Sequence, residues 1–246
     1  LAALSVWNRR DPAQPRVLPW VLVVLLVFQA LLGMWTVTLL LKPLIVTLHL
    51  LGGLATLALL WWLALPPEHR ELKAAERPVR RLAIAAFAVL VAQIALGGWT
   101  STNYSAAACA DFPACHGKWW PDMDFKNGFV LWRGLGIDYE GGVLDTPARV
   151  AIHYSHRLGA YLTGLVLLLL VLGAWRRAQT ALTRGAATAV LVAVALQITI
   201  GMNLIWRGWP LWLGTSHNAG AVLLVLAMVA LLRYLSPRAE VGRLRP

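Results

Sequence analysis

The feature that most constrains this chain is a set of long apolar blocks, several of which reach about 20 residues, the length that crosses a bilayer as a helix. Of the 246 residues, 59% are hydrophobic and only 13% are charged, whereas soluble domains usually carry about 25% charged residues. The predicted spans are about 17–40, 44–65, 82–100, 148–174, 185–206 and 211–234. The sequence therefore predicts an all-α fold, a polytopic membrane bundle of six transmembrane helices that lies in the lipid bilayer.

The basic residues alternate between successive connections. Residues 1–16, 66–81, 175–184 and 235–246 are rich in Arg and Lys, and the other connections are poor in them. By the positive-inside rule, every second connection is cytoplasmic, and so are both termini of this chain. The net charge of +11 does not indicate nucleic acid, because no basic face or nucleic-acid-binding motif accompanies it. We therefore predict a cell inner membrane protein with no nucleic-acid partner.

The longest connection, residues 101–147, is predicted to be external and to fold against the bundle, because inserts of this length are seldom structureless. It contains both cysteines of the chain, Cys109 and Cys115. On the oxidising side of a membrane such a pair can form a lasting disulfide. We favour a structural disulfide that pins the loop, and a thiol pair that exchanges electrons remains the alternative.

An internal repeat divides the chain. A shift of 168 positions aligns two helical hairpins without a gap, matching the pairs Gln29 and Gln197, Gly33 and Gly201, Met34 and Met202, Thr47 and Thr215, His49 and His217, and Gly52 and Gly220. Helices three and four lie between the two hairpins, and we expect them to have no counterpart in this chain. We interpret residues 82–246 as a complete four-helix unit and residues 1–81 as the second half of a preceding unit. Because the chain begins at Leu1 without Met, we expect the missing first half-repeat to lie upstream.

His49, His156 and His217 stand out as candidate metal ligands. Each lies several residues inside an external helix end, at roughly 8–12 Å depth when a helix rises 1.5 Å per residue. A single intramembrane histidine is usually a neutral hydrogen-bonding group, but three at one depth favour ligation. Because no Cys, Asp or Glu lies within the predicted spans, imidazole ligation of haem iron between helices is the best fit. His156 and His217 form the expected pair, which leaves His49 without a partner in this chain.

Two neighbours of His156 are candidate cofactor-binding residues. His153 lies close to the same helix face, where it would orient a neighbour or contact the edge of the haem. Arg157 is either a structural donor between helices or the partner of a haem propionate, which suits the geometry of Arg. Both alternatives remain open.

The chain resembles the haem A synthase family, and the resemblance covers essentially all of it as helices three to eight of eight. The segments that carry the resemblance are Gly97–Tyr104, Cys109–Cys115, Trp120-Pro121, Asp124-Phe125, Ile152–Arg157, Gly33–Thr38 and His49–Gly53. The resemblance implies a bacterial oxidoreductase of cytochrome oxidase assembly, which converts haem O to haem A by successive hydroxylations of a methyl group.

The resemblance also implies a division of labour between the two halves. The carboxy-terminal half would hold a haem b, an iron cofactor, between His156 and His217, and His49 would serve the substrate haem. Haem O synthase and oxidase assembly factors are the implied partners, and a homo-oligomer is compatible with the resemblance. The family's catalytic glutamate belongs to a helix that has no match here, so the catalytic residue is unknown. We expect the 246 residues alone to bind the cofactor haem without turnover.

Two other functions compete with this interpretation. A membrane b-type cytochrome that passes electrons between quinol and a periplasmic partner would explain the histidine pair, but not the duplicated hairpin with a third histidine. A repeat-built transporter would be expected to show helices broken near the middle of the membrane. Extraction of haem A or haem O would indicate the synthase, haem b alone would be ambiguous, and the absence of haem would favour a transporter.

Overall fold

A computed structural model of the chain describes residues 1–7, 15–66 and 71–236. Its helices are α1 (Ala2–Trp7), α2 (Leu18–Thr38), α3 (Pro43–Ala64), α4 (Arg77–Thr102), α5 (Phe125–Gly128), α6 (Thr146–Arg177), α7 (Ala181–Trp206) and α8 (Leu211–Tyr234). Of these, α2, α3, α4, α6, α7 and α8 are long and apolar enough to cross a membrane. The described residues contain no strand, so the all-α bundle of six spanning helices is confirmed. Several arginines used for the orientation, among them Arg9, Arg10, Arg238 and Arg243, lie outside the described residues.

Three helices extend beyond the predicted spans, among them α7, which begins at Ala181 rather than near residue 185. Helix α4 begins at Arg77 rather than near residue 82, and α6 runs through residues 146–177 rather than 148–174. Both have proline in the first turn, where the missing N–H is tolerated because that position has no intrahelical acceptor. Apolar content marks the part of a helix that lipid covers, so it misses the polar turns that continue the helix at either end.

Helices α4, α6, α7 and α8 form a four-helix ring. Helix α4 packs on α6 and α8, and α7 packs on the same two helices. Helices α6 and α8 occupy opposite corners and do not contact each other within the described residues. The half of the ring remote from the α4–α6 loop is filled by small and aliphatic side chains, including Ala83, Ala86, Leu170, Ala187, Val190 and Met228. The histidine-bearing half lies at the other end, below the loop.

The α2–α3 hairpin attaches to this ring through α3. Helix α3 packs on α4 and α8, whereas α2 packs on α3 and on α1. The approach to α4 is close at Gly98, where a Cβ would lie 3.1 Å from Leu50 Cδ2 and 3.2 Å from Thr47 Cγ2. A larger residue at position 98 would separate the two helices. The division into units 1–81 and 82–246 agrees with this arrangement but stays a prediction.

The loop between α4 and α6 folds back over one end of the bundle, as predicted. The Trp99 indole N–H donates to the Gly128 carbonyl at 2.9 Å, which holds α5 against the end of α4. Farther along, the Tyr139 N–H donates to the Leu40 carbonyl at 3.1 Å, in the turn between α2 and α3. Lys42 from that turn is buried, and its ammonium donates to a loop carbonyl. The loop therefore bridges the ring and the α2–α3 hairpin. The end of the bundle that this loop covers is named the loop end.

Candidate functional site

The three candidate ligands share one structural setting, in which each imidazole rests on a glycine of the preceding spanning helix. A Cβ at Gly33, Gly97 and Gly201 would lie 3.2, 3.0 and 3.1 Å from the Cε1 atoms of His49, His156 and His217, respectively. The edge of each ring thus touches the neighbouring helix where that helix has no side chain. A methyl group at these positions would force the imidazole to move by a few tenths of an ångström.

A glutamine one helical turn before each glycine reaches the same histidine. Gln93 Nε2 donates to the His156 carbonyl at 2.9 Å and lies 3.0 Å from the ring Nδ1. Gln197 Nε2 lies 3.2 Å from His217 Nε2. In the α2–α3 hairpin, Nε2 of Gln29 donates to the carbonyl of its histidine at 2.9 Å. Each amide therefore ties the histidine-bearing helix to its neighbour at the level of the imidazole.

A second glycine, three residues after each histidine, makes room for the glutamine. A Cβ at Gly52, Gly159 and Gly220 would lie 2.2, 2.1 and 2.2 Å from the Oε1 atoms of Gln29, Gln93 and Gln197. The complete unit is therefore Gln-x-x-x-Gly on one helix packed against His-x-x-Gly on the next. The α2–α3, α4–α6 and α7–α8 pairs each contain it.

The glutamine-bearing helices also end in the same way. They end at Thr38, Thr102 and Trp206, each at the fifth residue after its glycine. A left-handed residue follows in each case, namely Leu40 (φ 52°), Tyr104 (φ 52°) and Gly208 (φ 68°). The hydrogen bonds around these residues are those of a Schellman motif. The three histidines consequently share one depth, about 7–8 Å below the helix ends at 1.5 Å per residue.

The expectation that helices three and four have no counterpart in the chain was wrong. The α4–α6 pair is a third copy of the unit, but the long loop between its helices prevents any single ungapped shift from aligning both. Gln93, Gly97 and Gly159 were missed for this reason. The sequence did contain a signal, because residues 29–36 and 93–100 both read Gln-x-x-x-Gly-x-Trp-Thr.

The four-helix ring contains both His156 and His217. They lie on opposite corners of the ring, on α6 and α8. His49 lies outside this ring, on α3, within the unit that belongs to the other half of the chain.

The polar atoms around the imidazoles fit a haem. The buried Nδ1 atoms of His49 and His217 have no hydrogen-bond partner, and no bond reaches His156 Nε2 from the described residues. Each ring therefore keeps one nitrogen for a ligand. No cluster of three or more His, Cys, Asp or Glu suited to a metal occurs in the described part of the chain. Two imidazoles suffice for haem iron, because the porphyrin supplies the other four nitrogens. The ligand assignments stay predictions.

His153 and Arg157 fasten the loop to α6. The Arg157 guanidinium donates from Nη1 to the Ala114 carbonyl and from Nη2 to the Cys109 carbonyl, both at 2.9 Å. Its Nε donates to His153 Nε2 at 3.1 Å, so the opposite ring nitrogen of His153 donates to the Ser105 carbonyl at 3.1 Å. These contacts are structural, but they join α6 to the loop, whereas the structural alternative for Arg157 was a hydrogen bond between helices. A contact with haem or its propionates stays a prediction for both residues.

The predicted disulfide is present between Cys109 and Cys115, and both residues are buried. The enclosed turn is closed a second time by Asp111, whose carboxylate accepts the backbone N–H groups of His116 and Gly117 at 2.7 and 2.9 Å. These two hydrogen bonds lower the pKa of the Asp111 carboxyl below its ordinary value, and the bond from Gly117 has the larger effect. The disulfide thus belongs to a compact turn whose carbonyls Arg157 holds.

Comparison with known proteins agrees with the resemblance seen in the motifs. Residues 1–229 match the family COX15-CtaA, described as cytochrome oxidase assembly protein. The chain is 38% identical over 236 residues to the haem A synthase of Shewanella oneidensis, covering 94% of this chain and 71% of that protein. It is 30% identical to the haem A synthase of Caulobacter vibrioides, covering 74% of this chain and 50% of that protein. For the haem A synthase of Paracoccus denitrificans the identity is 28%, covering 72% of this chain and 45% of that protein. The chain thus spans about half the length of several of its relatives.

Proposed function

The chain belongs to the haem A synthase family of cytochrome oxidase assembly proteins, and from this premise we propose that it acts in the oxidation of haem O to haem A. The reaction class is the oxidation of a methyl group on the edge of a porphyrin to a formyl group. The observation that carries the proposal is the placement of His156 and His217 on opposite corners of the four-helix ring, each with a nitrogen free of hydrogen bonds.

In this proposal His156 and His217 hold a haem b as a cofactor. Such a haem supplies one-electron redox chemistry when it is bound. The chain would hold this haem through the imidazoles of His156 and His217, and a haem held by two histidines would serve electron transfer. The loop, fastened by Arg157 and His153, covers the loop end of the ring and limits the access of water to the histidine layer.

The substrate haem is proposed to bind beside α3. His49 occupies the same unit as the two cofactor ligands, at the same depth, and its Nδ1 is buried without a partner. That environment supports ligation of a second porphyrin, whose peripheral methyl group changes during the reaction. The proposed partners are haem O synthase, oxidase assembly factors and a second copy of this chain.

The function is tested by haem analysis in a strain that makes haem O and lacks a haem A synthase. The complete reading frame that contains these residues is expected to yield haem A, whereas the 246 residues expressed alone are expected to yield bound haem b only. Extracted haems separated by chromatography provide the measurement. A folded, haem-loaded product of the complete frame that makes no haem A contradicts the proposed function. Haem A made by the 246 residues alone contradicts the expectation that catalysis needs residues beyond them.

We propose that the loop end faces the extracytoplasmic side, with both termini in the cytoplasm. Within the described residues, the basic side chains of these connections, such as Arg77, Arg80, Arg176 and Arg184, lie at the opposite end of the bundle, which supports this orientation. Leu135 and Ala75 are exposed at the two ends, and the only native cysteines form a disulfide. In spheroplasts, Leu135→Cys is expected to react with a membrane-impermeant maleimide, and Ala75→Cys only after permeabilisation. The reverse pattern contradicts the orientation.

A further inference from the structure

We propose that Gln93 and Gln197 are positioning residues that select which nitrogen of each ligating imidazole carries the proton. With haem bound, Oε1 of each glutamine accepts the ring N–H that faces it, and the other ring nitrogen keeps its lone pair for iron. The inference rests on the proposed function, because it assumes that these histidines ligate haem.

The contacts between each glutamine amide and its histidine ring correspond to the tautomer opposite to the one that ligation needs. An amide nitrogen can only donate, so His156 Nδ1, 3.0 Å from Gln93 Nε2, accepts, and the ring proton is on Nε2. In the α7–α8 pair, Gln197 Nε2 faces His217 Nε2 at 3.2 Å, which leaves the proton on Nδ1. In both rings the nitrogen left for iron therefore carries a proton. Ligation requires that proton to move to the nitrogen that faces the glutamine.

A proton on that nitrogen needs an acceptor, and each unit contains one without a partner. The Oε1 atoms of Gln29, Gln93 and Gln197 are all buried and make no hydrogen bond. A half-turn of the amide about its last torsion exchanges Nε2 and Oε1 and brings the acceptor to the ring. In Gln93 this half-turn also breaks the hydrogen bond that Nε2 donates to the His156 carbonyl, and the new bond from the ring N–H replaces it. One proton passes between two nitrogens of the same imidazole, so the net charge of the site does not change. Metal-bound histidines usually donate their second N–H to such an acceptor.

The glycines beside the amides make room for Oε1. A Cβ at Gly159 or Gly220 would clash with Oε1 of Gln93 or Gln197. Any side chain there would push the amide out of its present position. Every copy of the unit therefore accommodates a glutamine beside its histidine.

A simpler role for the glutamines is to tie two helices together. Gln93 and Gln29 each donate to the carbonyl of their histidine at 2.9 Å, as a structural tie requires. A tie and a positioning residue make different predictions. Loss of a tie lowers stability and leaves the iron unchanged, whereas loss of an acceptor from a ligand N–H makes the imidazole less basic and shifts the redox potential of the iron.

The test compares Gln93→Leu, Gln197→Leu and Gln93→Glu in the haem-loaded chain, with Gln29→Leu as the matched control from the other half. Both Leu variants at the cofactor units are expected to keep a low-spin spectrum, to retain haem on the order of 10- to 100-fold less tightly, and to have a raised midpoint potential. Gln93→Glu supplies a stronger acceptor and is expected to lower the potential. Gln29→Leu is expected to leave the cofactor potential at the parent value.

The outcomes separate this inference from the proposed function. Parent potentials and retention in Gln93→Leu and Gln197→Leu, with His156→Ala devoid of haem, overturn the inference and leave the function standing. A parent chain that binds no haem overturns the proposed function itself. If a Leu variant does not fold, Gln93→Glu decides alone, because it keeps the volume of the side chain, and an unchanged potential then contradicts the inference.

Discussion

His156→Ala and His217→Ala are each expected to abolish the haem absorbance of the purified chain, weakening haem retention by more than about 100-fold. The physical reason is that each removes an axial ligand, whereas loss of an outer hydrogen-bonding partner alone costs about 10–100-fold in metal affinity. Each residue lies in its own copy of the two-helix unit, and the two copies place them on opposite corners of the ring, so neither can replace the other. Haem content per chain, measured by absorbance after purification, is the observable.

His49→Ala is the matched control for this pair. It removes an imidazole from the same position of the same unit, but on α3, outside the ring. It is therefore expected to keep the haem b spectrum. Exogenous imidazole added to His217→Ala is expected to restore part of the absorbance, because the Ala variant leaves space for a free ligand. Haem b lost in His49→Ala but kept in His156→Ala would contradict the assignment of the cofactor to the ring.

Arg157→Met is expected to release the disulfide turn and to lower the melting temperature of the solubilised protein by about 6–12 °C. Arg157 is buried and donates to the carbonyls of Ala114 and Cys109, and hydrogen bonds to a charged group are worth about 1.5–3 kcal/mol each. At the lower of these values the loss of two such bonds costs roughly 3 kcal/mol. Since each kcal/mol lowers the melting temperature by about 2–4 °C in a chain of this size, the expected fall is about 6–12 °C. Met keeps the apolar part of the side chain, so the fall in melting temperature measures the loss of the guanidinium N–H donors.

Arg207→Met provides the comparison for this change. Arg207 is exposed at the same end of the bundle and its Nε contacts Asn203 Oδ1 at 3.3 Å, so its loss is expected to change the melting temperature by about 1 °C or less. Protease cleavage within the loop is expected to accelerate in Arg157→Met only. An intact loop with loss of haem would instead favour the propionate contact for Arg157.

The sequence was sufficient to predict the bundle and its six spanning helices, because hydropathy directly reports which segments lipid can cover. The contacts of the loop could not be predicted in the same way. Lys42, for example, lies in a short turn between apolar helices and gives no sign that it is buried beneath aromatic rings of a distant loop. Such contacts depend on the course of the loop over the bundle, which no short sequence pattern determines.

For the site, the histidines could be singled out because ionisable residues are rare in apolar spans. The glutamines were recognised only as matched letters of one repeat, and Gln93 was not recognised at all. Their importance depends on which helices are neighbours. Gln93 and His156 are separated in sequence by the whole loop, yet Gln93 Nε2 lies 3.0 Å from His156 Nδ1. An intramembrane Arg such as Arg157 was equally ambiguous, because its role depends on what the loop places next to it.

The electron paramagnetic resonance spectrum of the purified, oxidised chain tests the central claim most directly. A single haem held by His156 and His217 predicts a ferric low-spin signal of bis-imidazole type, and chemical extraction is expected to recover haem b from the same sample. A high-spin ferric signal from the intact chain, or a purified chain that contains no iron porphyrin, would contradict the claim that these two histidines share one haem.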